Sequence, residues 1–171
     1  PGHADFSSEV ERIIKTVDTV ILMVDSKEGV MPQTRFVLEQ ALKNNLNPIL
    51  FINKIDKKDS RIDEVVDMTF DLFVELGASD KQLDFPICYG MAKKGIAKCE
   101  LEDEDKNIFP LLDTVIENTK EYEGSESDPL QLQVSSLSYD DYLGRLGIGR
   151  VTKGVIRLGT MVAISKNDGS T

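Results

Sequence analysis

The chain has 171 residues, a mass of 19.1 kDa and a formal net charge of −10, with a pI of about 4.6. This acidity argues against broad binding of nucleic-acid backbone, because phosphate contacts need clustered cations. No apolar run approaches the roughly 20 residues of a membrane span, and the two cysteines, Cys88 and Cys99, lack metal-site spacing. We therefore expect no membrane partner and a cytoplasmic location.

The first elements predicted along the chain are a helix, a strand and a second helix. Apolar residues at i, i+3, i+4 and i+7 predict an amphipathic helix from Val10 to Val17. The run T-V-I-L-M-V at Thr19–Val24 predicts a strand buried on both faces and ending at Asp25. Pro32 suits the first turn of the next helix. The inward stripe expected for that helix is Val37, Leu38, Ala41 and Leu42.

Four further elements are predicted before residue 120. In chain order they are a buried strand at Ile49–Ile52, a helix at Ser60–Leu76, a strand at Phe85–Tyr89 and a helix from about Asn107. Ser60 is the expected cap of the first of these helices, and Gly77 is its expected end. Leu112, Val115 and Ile116 are the expected inward residues of the last helix. Helices thus alternate with strands, a pattern typical of an α/β fold with a parallel sheet and right-handed crossovers.

The composition changes near Glu121. A polar, acidic stretch predicts a linker over residues 121–129, which separates a first domain, residues 1–120, from a second, residues 130–171. Period-two alternation and frequent glycines predict that the second domain is part of a small antiparallel β-barrel. Its short strands are expected at Leu130–Val134, Gly147–Val151, Gly154–Ile156 and Met161–Ile164.

The motif N-K-I-D at Asn53–Asp56 follows the buried strand at Ile49–Ile52 directly. Ligands bind at the carboxyl ends of strands in open α/β sheets. There, the Asp56 carboxylate can accept hydrogen bonds from two adjacent N–H groups of guanine, and the Asn53 amide can reach a ring nitrogen and tie neighbouring loops. The stem of Lys54 can cover the base. The alternative interpretation is a solvated turn, since asparagine, lysine and aspartate are ordinary turn residues.

Two other loops are expected at the same edge of the sheet. Asp25 ends the first strand, and Gly90-Met91-Ala92 follow the third. A backbone amide of this last loop, that of Ala92, is expected to donate to the guanine carbonyl oxygen. The convergence of three loops favours a base-binding site over a simple turn.

With these motifs assembled, the chain resembles the translational GTPases. P-G-H at Pro1–His3 is similar to the end of their D-T-P-G-H switch motif. G-V-M-P-Q-T-R at Gly29–Arg35 is similar to the family's stretch after the next strand, and N-K-I-D is similar to its guanine-specificity motif. Gly90-Met91-Ala92 stand where the family usually has S-A-L or S-A-K, so this chain offers no serine there. The sequence at Tyr139–Gly154 looks more like the BipA/TypA branch than elongation factor G.

The resemblance implies a P-loop GTPase-type sheet, the start of which lies outside this chain. The resemblance also implies that the intact protein binds GTP and GDP and hydrolyses GTP. The 171 residues contain no G-x-x-x-x-G-K-[ST] phosphate loop, so the segment alone is expected to be inactive. His3 would orient the attacking water, the Gly2 amide would face the terminal phosphate, and Asn53, Lys54, Ile55, Asp56, Gly90, Met91 and Ala92 would form the base site. Mg²⁺ is expected, with ligands outside this chain.

The resemblance also implies a partner, the ribosome, contacted at its large-subunit RNA. A free edge at the strand Thr19–Val24 is expected to promote self-association of the isolated segment. Two alternatives remain at this point: a non-catalytic GTPase-like binding module, and another translation factor such as elongation factor G.

Overall fold

The structure, a computed structural model, describes residues 7–121 and 124–165, with side chains from residue 10 onward. The chain divides into two compact units, Pro1–Glu121 and Tyr122–Thr171. Each is described by itself below, as unit 1 and unit 2.

Unit 1 is built on a four-stranded sheet in the order β1-β2-β3-β4. The strands are β1 (Thr19–Asp25), β2 (Asn47–Asn53), β3 (Ile87–Met91) and β4 (Ile96–Lys98). β1, β2 and β3 are parallel, whereas β4 returns antiparallel to β3. The predicted α/β class is therefore confirmed. The third strand lies two residues later than the predicted Phe85–Tyr89, and β4 was not predicted, because three residues show no periodicity.

The helices connect and cover these strands. They are α1 (Ser7–Ile14), α2 (Pro32–Lys43), α3 (Ile62–Glu75), the short α4 (Asp80–Leu83) and α5 (Phe109–Asn118), with a 3₁₀ turn at Ala92–Lys94. Pro32 begins α2 as predicted. α3 begins after Arg61, so the prediction that Ser60 caps it is wrong. Gly77 ends α3 as predicted: it has a φ of +75°, and its amide donates to the Val74 carbonyl oxygen at 3.0 Å.

β2 is the centre of the core. Its residues Leu50 and Ile52 pack on one face with α2 and α3, whereas Ile49 and Phe51 pack on the other face with Leu111 of α5. All four side chains are fully buried. The prediction of a strand buried on both faces is confirmed here.

β1 differs from that prediction. Leu22 and Val24 are buried beneath α2, but Ile21 is 42% exposed and Met23 is 53% exposed. The reason is that α1 and α2 both lie on the side of β1 that carries Val20, Leu22 and Val24. Ile21 and Met23 point to the opposite side. Burial of β1 on both faces is therefore wrong for the part of the chain that the structure describes.

The inward face of α5 also differs from the prediction. Leu112 and Ile116 are exposed, whereas Leu111 and Thr114 are buried and Val115 packs against the core. Adjacent leucines allow two helical stripes in this sequence, and the contact with β2 and β3 selects one of them. The buried Thr114 hydroxyl accepts a hydrogen bond from Cys88 Sγ on β3 at 3.4 Å.

In unit 2, β5 (Gln131–Asp140) and β6 (Gly144–Lys153) form an antiparallel hairpin. These strands include the predicted Leu130–Val134, apart from its first residue, and Gly147–Val151. No strand occurs at the predicted Gly154–Ile156 or Met161–Ile164. Gly154, which directly follows β6, has a left-handed φ of +66°.

Candidate functional site at the ends of the parallel strands

The register of the parallel strands places three segments side by side. Asp25, at the end of β1, pairs with Asn53, at the end of β2. Asn53 pairs in turn with Gly90 on β3. The polar residues expected at one edge of the sheet therefore meet there, across elements that are far apart in sequence.

Asn53 connects two of these segments through its side chain. Its Oδ1 atom accepts hydrogen bonds from the backbone amide of Lys54 at 2.9 Å and from that of Ala92 at 3.0 Å. Its Nδ2 atom donates to Met23 Sδ at 3.6 Å, and a thioether sulfur is a weak acceptor. Asn53 thus ties the loops together, while its amide nitrogen is held only weakly by Met23. The Ala92 amide, which the sequence assigned to a guanine oxygen, is directed at Asn53.

Lys54 joins β2 to the end of β1. Its backbone has a φ of +64°, a conformation that is uncommon for residues other than glycine. Two contacts support it: the Ser26 hydroxyl donates to the Lys54 carbonyl oxygen at 2.9 Å, and Lys54 Nζ lies 2.5 Å from Asp25 Oδ2. The Lys54 side chain is 48% exposed, so its stem is accessible to a ligand at this edge.

Asp25 is the anion that organises the loop after β1. Its Oδ1 atom accepts hydrogen bonds from the backbone amides of Lys27 and Glu28, at 2.9 and 3.3 Å. The side chain is 13% exposed, and burial by itself raises the pKa of Asp25. The contact with Lys54 and the two amide hydrogen bonds outweigh burial, and together they hold the pKa of Asp25 well below its usual range.

Asp56 lies beyond the strand and is accessible. Its side chain is 44% exposed, and its Oδ2 atom lies 2.9 Å from Lys94 Nζ. The hydrogen bond from Lys94 lowers the pKa of Asp56 and raises the pKa of Lys94 itself. An ionised carboxylate is therefore presented to solvent at the edge of the sheet, with a cation on one of its oxygens.

Three of the predicted site residues, Gly90, Met91 and Ile55, present no exposed side chain at this edge. Gly90 and Met91 are buried within β3. A Cβ atom at Gly90 would lie 2.3 Å from the Ile96 carbonyl oxygen and 2.6 Å from Phe51 Cζ, so this glycine permits close approach between strands. The Ile55 side chain packs against the core, and its amide donates to the Gly90 carbonyl oxygen at 3.4 Å. Gly2 and His3 lie outside the described residues.

Two contributors to this site were missed in the sequence. Ser26 is fully buried; besides binding Lys54 O through its hydroxyl, its amide donates to the Asn53 carbonyl oxygen at 2.9 Å. The only available signal was its position next to Asp25. Lys94 belongs to the pair K-K in G-M-A-K-K-G, and this local pattern does not indicate which of the two lysines faces Asp56.

Other features of the described residues lie away from this edge. An open, mainly apolar groove of about 640 Å³ runs beside β1 and is lined by residues that include Val10, Ile14, Ile21, Met23 and Val37. Within residues 7–121 and 124–165, no group of three or more His, Cys, Asp or Glu side chains is arranged to hold a metal ion. No helix in those ranges is both long and apolar enough to cross a membrane.

Comparison with known proteins identifies the first unit. The family described as the elongation factor Tu GTP binding domain matches residues 1–121. Relatives named "Large ribosomal subunit assembly factor BipA" match nearly the whole chain. The protein of Bacillus subtilis is 49% identical over 170 residues, that of Haemophilus influenzae 47% over 171 and that of Synechocystis sp. 46% over 170.

These matches cover 99%, 100% and 99% of this chain, and 28% of the length of each relative. The similarity extends through both units, because the matched residues include the hairpin of unit 2. The chain therefore belongs to the family described as the elongation factor Tu GTP binding domain.

Proposed function

We propose that the protein containing this segment binds GTP and GDP and hydrolyses GTP in association with the ribosome. One observation carries the proposal for nucleotide binding: the strand register brings Asn53, Lys54 and Asp56 to one edge of the sheet beside the loop of Ala92. The matched GTP-binding family supplies the independent support. The relatives' names, which specify large ribosomal subunit assembly, support the ribosomal partner and a cytoplasmic location.

The chemistry of these residues suits a guanine base. The exposed Asp56 carboxylate accepts from the N1–H and the exocyclic amino group, two adjacent donors that adenine does not present together. Asn53 Nδ2, whose acceptor among the described residues is the weak Met23 Sδ, donates to a ring nitrogen. The accessible stem of Lys54 covers one face of the base. The Ala92 amide donates to Asn53 Oδ1 at 3.0 Å. A guanine carbonyl oxygen that also accepts from this amide would therefore share the donor with Asn53 Oδ1.

Residues near the start of the chain act at the phosphates in this proposal. By resemblance, His3 orients the attacking water and the Gly2 amide faces the terminal phosphate. Mg²⁺ accompanies the nucleotide and neutralises phosphate charge, and residues outside this chain hold it. The 171-residue segment, which contains no phosphate-loop motif, does not hydrolyse GTP by itself.

Residues 1–120 form the GTP-binding part of this proposal, residues 121–129 a linker, and residues 130–171 part of a β-barrel domain. The division of the structure between Glu121 and Tyr122 supports this arrangement. The paired strands β5 and β6 support the assignment of the second part.

Substitution of Asp56 tests the base-binding site. In the complete protein, Asp56→Asn should weaken GDP binding about tenfold or more, because charged hydrogen bonds are lost. It should improve binding of XDP, whose base carries a carbonyl in place of the guanine amino group. Asp67→Asn, the same change at an exposed position of α3, is the matched control. Unchanged GDP and XDP affinities in Asp56→Asn would show that this carboxylate does not read the base.

A second substitution tests the proposed catalysis. GTP hydrolysis by the complete protein should rise when ribosomes are added, and His3→Ala should remove this stimulation while GDP affinity stays unchanged. A protein that binds GDP but shows no hydrolysis with ribosomes would instead be a non-catalytic binding module.

Among the residues that the structure describes, β1 has a free edge, and this edge supports self-association of the isolated segment. β1 has a hydrogen-bonded neighbour on one side, β2, and the exposed Ile21 and Met23 lie beside the apolar groove. Such an edge is a template for strand pairing. Sedimentation of the segment at tens of micromolar, roughly the range in which exposed edges associate, should reveal dimers or larger species. A stable monomer there would contradict this.

A further inference from the structure

The Lys94 side chain makes two contacts at the base-binding edge. Its Nζ atom lies 2.9 Å from Asp56 Oδ2 and donates to Met91 Sδ at 3.4 Å. Both members of the ion pair are accessible, with 55% of the Lys94 side chain and 44% of the Asp56 side chain exposed. The pair is therefore accessible to a ligand, and it is not part of the core.

The backbone that carries Lys94 is held by the sheet. Lys94 ends the 3₁₀ turn Ala92–Lys94, which lies between Met91 of β3 and Ile96 of β4. The Ala92 amide is bound to Asn53, and Gly95 closes the turn in a left-handed conformation, with its amide donating to the Ala92 carbonyl oxygen at 3.1 Å. The turn that carries Lys94 is thus anchored at both ends, so the backbone of Lys94 is held in place relative to Asp56.

A carboxylate can accept more hydrogen bonds than guanine requires. Its two oxygens offer about four lone-pair sites, and the guanine edge uses two. Lys94 therefore has room to keep its contact with Oδ2 while the base is bound. Without that contact, Asp56 would be free to rotate about its side-chain bonds, and ordering it would reduce the affinity for the base.

From this arrangement we infer that Lys94 is a positioning residue for guanine binding, which holds the Asp56 carboxylate oriented toward the base. The inference rests on the proposed guanine-binding function. It extends that function, because it assigns a role to a residue outside the N-K-I-D motif.

The charges around Asp56 support this role. Lys94 on the 3₁₀ turn is the main cause of the lowered pKa of Asp56, and Lys57, on the same loop as Asp56, adds a weaker attraction. Loss of Lys94 should therefore raise the pKa of Asp56. Binding that needs the ionised carboxylate should then begin to fail at a higher pH as the solution is acidified.

The test uses the complete protein and three variants. Lys94→Met keeps the length of the side chain and removes its charge, Lys94→Arg restores a cation, and Lys93→Met is a control at the exposed neighbouring lysine. Lys94→Met should weaken GDP binding about two- to fivefold, the range expected for an exposed ion pair. The loss should shrink at high salt because the pair is screened. Lys94→Arg should recover most of the affinity, and Lys93→Met should match wild type.

A second measurement tests the ion pair without nucleotide. Carboxyl-carbon NMR titration of the nucleotide-free protein should give a higher pKa for Asp56 in Lys94→Met than in wild type or Lys93→Met. A purely structural effect of the substitution would not move the pKa of Asp56 selectively.

The outcomes separate the two levels of the proposal. If wild-type protein binds no guanine nucleotide, the proposed function fails, and the positioning role fails with it. If wild type binds GDP and Lys94→Met binds it equally well or more tightly, only the positioning role is overturned. In the case of tighter binding, Lys94 competes with the base for Asp56.

Discussion

Gly90 should be intolerant of even one added methyl group. In Gly90→Ala the new Cβ atom would lie 2.3 Å from the Ile96 carbonyl oxygen and 2.6 Å from Phe51 Cζ, whereas non-bonded carbons normally stay about 3.5–4.0 Å apart. Phe51 is fully buried, and the oxygen belongs to the backbone of β4. Neither obstacle can move aside by a simple side-chain rotation.

The expected cost follows from these two contacts. Overpacking typically costs about 1–3 kcal/mol, and a double clash that involves backbone belongs at the upper end, about 3 kcal/mol. Alanine offsets about 0.5–1 kcal/mol of this, because it loses less backbone entropy than glycine on folding. The net destabilisation of β3 and β4 should therefore be about 2 kcal/mol.

Native-state hydrogen exchange of the complete protein is the suitable assay, because a protein of several domains has no single free energy of unfolding. A loss of about 2 kcal/mol should reduce amide protection in β2, β3 and β4 by a factor of roughly 30. Gly147→Ala is the control, since its Cβ atom would lie 3.4 Å from a Val134 side-chain carbon, and it should leave protection unchanged or slightly increased. Equal protection in Gly90→Ala and Gly147→Ala would refute the close approach at Gly90.

Three other substitutions probe the loops and the core. Ser26→Ala removes the hydroxyl that donates to the Lys54 carbonyl oxygen; it should cost about 0.5–1.5 kcal/mol and lower amide protection at Lys54, and unchanged protection would contradict the role of the hydroxyl. Gln82→Ala removes the buried donor to the Leu46 carbonyl oxygen, 3.0 Å away, and should lower the free energy of local opening that native-state hydrogen exchange reports around Leu46 by about 1–3 kcal/mol; unchanged protection there would contradict it. In Asp25→Asn, stability should depend less steeply on pH in the acidic range. The low pKa of folded Asp25 means that its ionised form stabilises the protein above the unfolded value of about 3.9, and that this contribution is lost as the pH falls further. Equal acid slopes for wild type and variant would contradict it.

The sequence predicted best the elements whose signal is local. β1 was expected at Thr19–Val24 and is found at Thr19–Asp25. Pro32 and Gly77 mark a helix start and a helix end through their own backbone preferences, which depend little on the rest of the molecule. Local steric rules therefore account for these boundaries.

The sequence was less informative where two packings are compatible with one pattern. Leu111 and Leu112 are adjacent, and periodicity alone cannot show which of them faces the sheet. The structure buries Leu111 against β2. In the same way, the apolar sequence of β1 predicts burial on both faces, although α1 and α2, which cover this strand, lie on one side of it.

At the candidate site, the chemical groups could be read from the sequence alone: an amide, a lysine stem and a carboxylate directly after a buried strand. Their neighbours could be identified only from the folded chain. Asn53 meets the Ala92 amide across 39 residues, and Ser26 meets Lys54 across 28. Periodicity describes neighbours within one helix or strand, whereas these contacts depend on the register between parallel strands. That register is set by how the helices and strands pack together, and for this reason Ser26 and Lys94 became visible only in the folded chain.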